Sequence, residues 1–93
     1  MIIGSCIITF RAEWVCSLKE KRMILKSIIE KAKNKFNISI AEVGKQDMHK
    51  EMEIGFCCVT NEVSHANSII DNVVNFMENN TDAVIENIEF EIL

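Results

Sequence analysis

Along this chain the apolar residues switch between a spacing of two and a spacing of about 3.6, and few folds accept that order of switches. From Met1 to Arg11 the spacing is two. Ile2, Gly4, Cys6, Ile8 and Phe10 share one face, and Ile3, Ser5, Ile7, Thr9 and Arg11 the other. Leu18 to Phe36 is helical, with a stripe of Leu18, Leu25, Ile28, Ile29, Ala32 and Phe36. Ser17 and Glu20 read as the capping box that opens it. Asn37 to Val43 returns to alternation, and the polar stretch Gly44 to Lys50 connects it to a further strand, Glu51 to Thr60. Asn61 or Ser64 then caps a second helix that runs to about Asn79. Its stripe is Val63, Ala66, Ile70, Val73 and Met77, widened by Ile69, Val74 and Phe76. "NNTD" breaks it, and Ala83 to Leu93 alternates once more.

The order is β-α-β-β-α-β, which is the split βαβ, ferredoxin-like arrangement of the α+β class. Right-handed crossovers place both helices on one face of a four-stranded antiparallel sheet. The pairs Ile8/Phe10, Ile54/Phe56 and Ile88/Phe90 are expected to face the helices. The other sheet face is left open, with Ile3, Ile7, Val43 and Val59 as its expected interface, joined by Ala41 and Cys57. Ninety-three residues, no proline and three glycines leave no room for a linker, so residues 1–93 read as one domain.

"SLKEKR" at 17–22, Lys26, "FNISIAEVG" at 36–44, "QD" at 46–47, "EIG" at 53–55, Asn61, His65 and the closing "EFEIL" carry a resemblance over essentially the whole chain. It resembles the YlxP-like family of small bacterial proteins of unknown function. The resemblance implies a ferredoxin-like fold, and genes that neighbour those for translation initiation and ribosome maturation factors. It therefore implies a role near RNA or ribosomes, and it brings no activity with it. The chain departs from the family pattern at "AEWVC", residues 12–16, and at Met48 and His49.

Charge is distributed unevenly. Lys19 to Lys35 holds seven of the ten basic residues and two acids, a net of +5, which leaves −9 for the rest of a chain whose total is −4. Three cations, Lys19, Lys21 and Arg22, crowd the first turns of the first helix, where the macrodipole favours anions. Free amides and cations at a helix start suit phosphate. Lys19, Lys21, Arg22 and Lys26 are accordingly the expected phosphate contacts, with Arg11 close by. The competing reading is a solvated helix face. Base stacking on the open sheet is not expected, because "EIGFCCV" lacks the aromatic partners that mode needs.

No catalytic motif is present, so no enzyme and no cofactor is expected. His49 and His65 read as exposed or satisfied histidines, and Trp14 as a loop anchor. Glu42, Asp47 and Glu53 form a weak metal prospect around one hairpin, and none is assigned. Cys6, Cys16, Cys57 and Cys58 lack zinc-site spacing and read as free thiols of a reducing compartment. No apolar run approaches the roughly 18 residues of a membrane span, and the N-terminus does not read as a signal peptide. The expected function is a non-enzymatic cytoplasmic accessory protein, RNA- or ribosome-associated through its basic helix. The alternative is a homodimeric protein-interaction module that binds no nucleic acid.

Overall fold

In the computed structural model, which describes residues 1–93, the first strand lies inside the sheet, as its two partly apolar faces require. The elements are β1 (Ile2–Arg11), α1 (Leu18–Lys35), β2 (Ser39–Gly44), β3 (Glu51–Thr60), α2 (Val63–Asn79) and β4 (Val84–Ile92). The sheet order is β2-β3-β1-β4, and every neighbouring pair is antiparallel. This is the expected ferredoxin-like α+β fold.

Gly4, Cys6, Ile8 and Phe10 of β1 lie opposite Cys58, Phe56, Ile54 and Met52 of β3. These pairs form the floor of the core. Leu25, Ile28 and Ala32 of α1 and Ile70, Val73 and Met77 of α2 form its roof. Gly4 lets α2 come close, since a Cβ there would stand 3.1 Å from Cys58 Sγ and 3.2 Å from Ile70 Cδ1.

Three details depart from the sequence reading. The start of α2 is capped by neither Asn61 nor Ser64. Its N-cap is Glu62, with no side-chain cap, because the chain turns directly out of β3. The Thr60 hydroxyl manages that turn, accepting from the Glu62 amide at 2.9 Å and donating to the Glu62 carbonyl at 3.1 Å. The loop after β1 is anchored by buried Ala12 and Val15, while Trp14 is half exposed beside Met23, Ile24 and Asp82. Finally, the register places Ile88 and Phe90 of β4 on the helix side, opposite Ile8 and Cys6. They are nevertheless 41% and 60% exposed. The helix α2 packs mainly over β1 and β3, and β4 joins the core only through Ile85 and Ile92.

Candidate nucleic-acid interface

The local sequence sets the start of α1. Ser17 is extended, and its hydroxyl accepts from the Glu20 amide at 3.1 Å. The first backbone bond of the helix runs from the Lys21 amide to the Ser17 carbonyl at 3.2 Å. From there the period decides where each basic side chain goes.

Position 21 stands on the stripe of Leu25, Ile28 and Ala32, and so it turns inward. Lys21 is 1% exposed. Its ammonium donates to the Lys45 carbonyl at 2.6 Å and to the Met48 carbonyl at 2.7 Å. Glu42 Oε2 lies 3.3 Å away and balances the charge. That oxygen accepts no well-aligned hydrogen bond, so the pair is held by charge rather than by direction. Lys45 adopts φ 56°, the left-handed conformation that is costly for a residue with a Cβ. Its carbonyl thereby also receives the Met48 amide at 3.1 Å. Lys21 thus ties α1 to the β2–β3 connection and presents no charge to solvent. The expectation that it contacts phosphate gives way to this structural role. The signal was present in the spacing 21, 25, 28 and 32, a lysine in register with an apolar stripe.

Lys19, Arg22 and Lys26 differ from Lys21 in lying off the apolar stripe. All three are exposed, and so is Lys33 on the same flank. None of the four makes an ion pair. At 1.5 Å per residue the row is about 21 Å long. It occupies the flank away from α2, because Lys35 and Phe36 lie on the other side, over and against the Phe76 ring. Arg11 does not join the row. Its guanidinium is paired with Glu13 and lies 3.5 Å from Glu51, and the Glu13 hydrogen bond holds its pKa up.

Arg11 belongs instead to a charge network at one end of the sheet. Lys45 Nζ donates to Glu51 Oε2 at 3.0 Å, which pulls the Glu51 carboxyl down and pushes the Lys45 ammonium up. The adjacent Glu51 raises Glu86. Opposite charges therefore close on one another at this end. His49 and His65 are exposed and outside it. Glu42 and Glu53 cannot meet on a metal, since they face opposite sides of the sheet. No group of three or more His, Cys, Asp or Glu side chains is arranged to hold a metal ion. Cys6 and Cys58 are buried, Cys57 is half-buried on the open face, and Cys16 is exposed; none is in a disulfide.

On the open face, Ile3 pairs with Val59, and Ile7 pairs with Gly55. Val43 leans over Gly55, where a Cβ would meet its Cγ1 at 3.0 Å. Ile7, Val43 and Gly55, with Ala41 and Cys57, line a shallow depression of about 320 Å³. The four expected interface residues thus lie on one side of the sheet, with Val43 and Val59 exposed and Ile3 half-buried.

The family model described as "Protein of unknown function (DUF503)" matches residues 3–90. The chain belongs to the DUF503 family. It is 37% identical over 62 residues to the uncharacterized protein YlxP of Bacillus subtilis (strain 168), covering 67% of each chain. The YlxP-like resemblance read from "SLKEKR" and "AEVG" is therefore a family relationship. Among solved structures, the de novo designed protein Foldit4 superposes with a TM-score of 0.52 at 10% identity, over 99% of this chain and 94% of that one. A crystal structure with a provisional chlorite dismutase assignment superposes at 0.54 and 12% identity, over 99% of this chain and 44% of the other. At such identities these neighbours show the fold alone. No helix is long and apolar enough to cross a membrane.

Proposed function

We propose that this DUF503 member is a non-enzymatic cytoplasmic accessory protein that associates with RNA or the ribosome, with Lys19, Arg22, Lys26 and Lys33 contacting phosphates. One observation carries the reading. These four cations share one exposed flank of α1 and pair with no acid, whereas Arg11, Lys21 and Lys45 are all neutralised within the fold. A row of unpaired cations about 21 Å long spans several phosphates of an extended strand. Its side chains reach phosphates rather than base edges, so binding tracks charge and shape more than sequence. The test is titration of single-stranded and ribosomal RNA across a salt series. Changing Lys19, Arg22 and Lys26 to Gln should weaken binding and flatten the salt dependence by about 0.7 to 0.9 log units per lost phosphate contact. Equal affinity and equal slope for the wild type and the variant would end this reading.

A second reading rests on the open face. The apolar depression around Ile7, Val43 and Gly55 favours a homodimer that covers it, leaving the basic flank free.

A further inference from the structure

We propose that the outer edge of β4 takes up an extended peptide segment of alternating apolar and basic residues, which adds a fifth strand to the sheet. The backbone supplies the first argument. Ile3 and Leu93 exchange both of their backbone hydrogen bonds, at 3.0 and 2.8 Å. In an antiparallel pair such bonded positions alternate with positions whose N–H and C=O point away. The register Gly4–Ile92, Cys6–Phe90 and Ile8–Ile88 then turns the backbone groups of Ile88, Phe90 and Ile92 outward, to the side where no strand lies.

The side chains supply the second argument. Those same residues project to the helix side, and Ile88 and Phe90 stand exposed there. On the open side the alternate positions are Asn87, Glu89 and Glu91, all exposed. An incoming strand therefore meets an apolar row on one face and an acidic row on the other, each at a spacing of two. Alternating apolar and basic residues match both rows.

The opposite edge of the sheet is protected. β2 is six residues long, is irregular between Glu42 and Gly44, and has Ile40 buried. β4 is nine residues long and carries no lysine or proline, and its one irregularity, between the partners of Thr9 and Phe10, leaves the stretch from Asn87 to Ile92 in regular register. Its glutamates also argue against a second copy as the occupant. Two β4 strands paired about a twofold axis with Phe90 facing Phe90, or with Ile88 facing Phe90, would set Glu89 against Glu91 or against its own copy, and like charges directly opposite are destabilising. Centring on Ile88 removes that clash but sets Phe90 against Glu86.

The probe is a short capped peptide of alternating valine and lysine, with its valine–glutamate counterpart as the control, followed by amide NMR and hydrogen exchange on the whole chain. The expected result is saturable binding of the lysine peptide, slowed exchange at the Ile88, Phe90 and Ile92 amides, and at least about tenfold weaker binding of the glutamate peptide. Phe90→Pro removes an outward amide without breaking the bonds to β1 and should abolish binding. Should that variant fail to fold, Glu89→Lys with Glu91→Lys should reverse the preference between the two peptides. Peptide shifts that map away from β4, unprotected amides at the three positions, or protection of those amides by self-association without peptide would each overturn the proposal. None of these outcomes bears on RNA binding by α1.

Discussion

A single lysine shows how far residue type alone can mislead. Lys21 and Arg22 are neighbours of the same charge in the same helix turn, yet one is buried and the other is exposed. The period separates them, because Lys21 falls in line with Leu25 and Ile28. Lys19, Arg22 and Lys26 were legible as an exposed row because three- and four-residue spacing keeps them on one flank. Lys21 was misread because its partners, the Lys45 and Met48 carbonyls, come from a loop whose left-handed turn no local pattern announces. Opposite outcomes follow for the two positions. Lys21→Met leaves two carbonyls and Glu42 without their cation and should cost about 2 to 4 kcal/mol in chemical denaturation. The Gln changes at Lys19, Arg22 and Lys26 should stay within about 0.5 kcal/mol of wild type. Cys6 gives a second prediction at this scale. Burial raises its thiol to about 11. The unfolded thiol loses its proton first, so this contribution to stability is complete below about pH 9 and is lost as the pH rises from there through 11. Cys6→Ala should flatten that alkaline decline in denaturation midpoints. In native protein, Cys16 should react with a thiol reagent before Cys57, with Cys6 and Cys58 reacting only on unfolding.

Elements were the most legible level. Each strand and helix of the structure lies where its period places it to within about two residues, and the start of α2 differs in how it is capped. There the cap is missing because Thr60 closes the turn from inside β3, a long-range convenience that a scan for capping residues does not detect. β4 shows another boundary of sequence reading. Alternation identified the faces of Ile88 and Phe90 correctly, but whether a helix covers a face depends on where that helix crosses the sheet. Close approach is also an element-scale property. Gly4 permits the contact between β1 and α2, so Gly4→Val should cost about 1 to 3 kcal/mol by overpacking against Cys58 and Ile70. Ser17→Ala should cost about 1 kcal/mol through the lost cap of α1. Thermal melts on the two variants measure both.

At the scale of the molecule, a +5 helix stands on a body that carries −9. This layout is electrostatically polar, so association with a polyanion through α1 orients the acidic β4 edge away from it. The open sheet face offers a separate surface, and assembly there has its own test. Ile7→Glu places a charge in the depression beside Val43 and Gly55 without entering the core. In sedimentation equilibrium it should turn a self-associating wild type into a monomer, whereas a wild type monomeric at high micromolar concentration dismisses the interface. The face was legible from alternation along β1 and β3, because an unburied second face of a central strand is visible in its pattern. What covers such a face is a property of another surface, and it leaves no mark on this one.

The Lys21 tether also makes one amide a gauge. The Met48 amide donates to the carbonyl of Lys45, which Lys21 holds in place from the first turn of α1. If the helix start frays, that carbonyl loses its cation and the turn of Lys45 loses what offsets its strain. Deuterium uptake at Met48 should then follow the opening of a helix turn 27 residues earlier in the chain, so the motion of α1 can be timed from a loop that contains none of it.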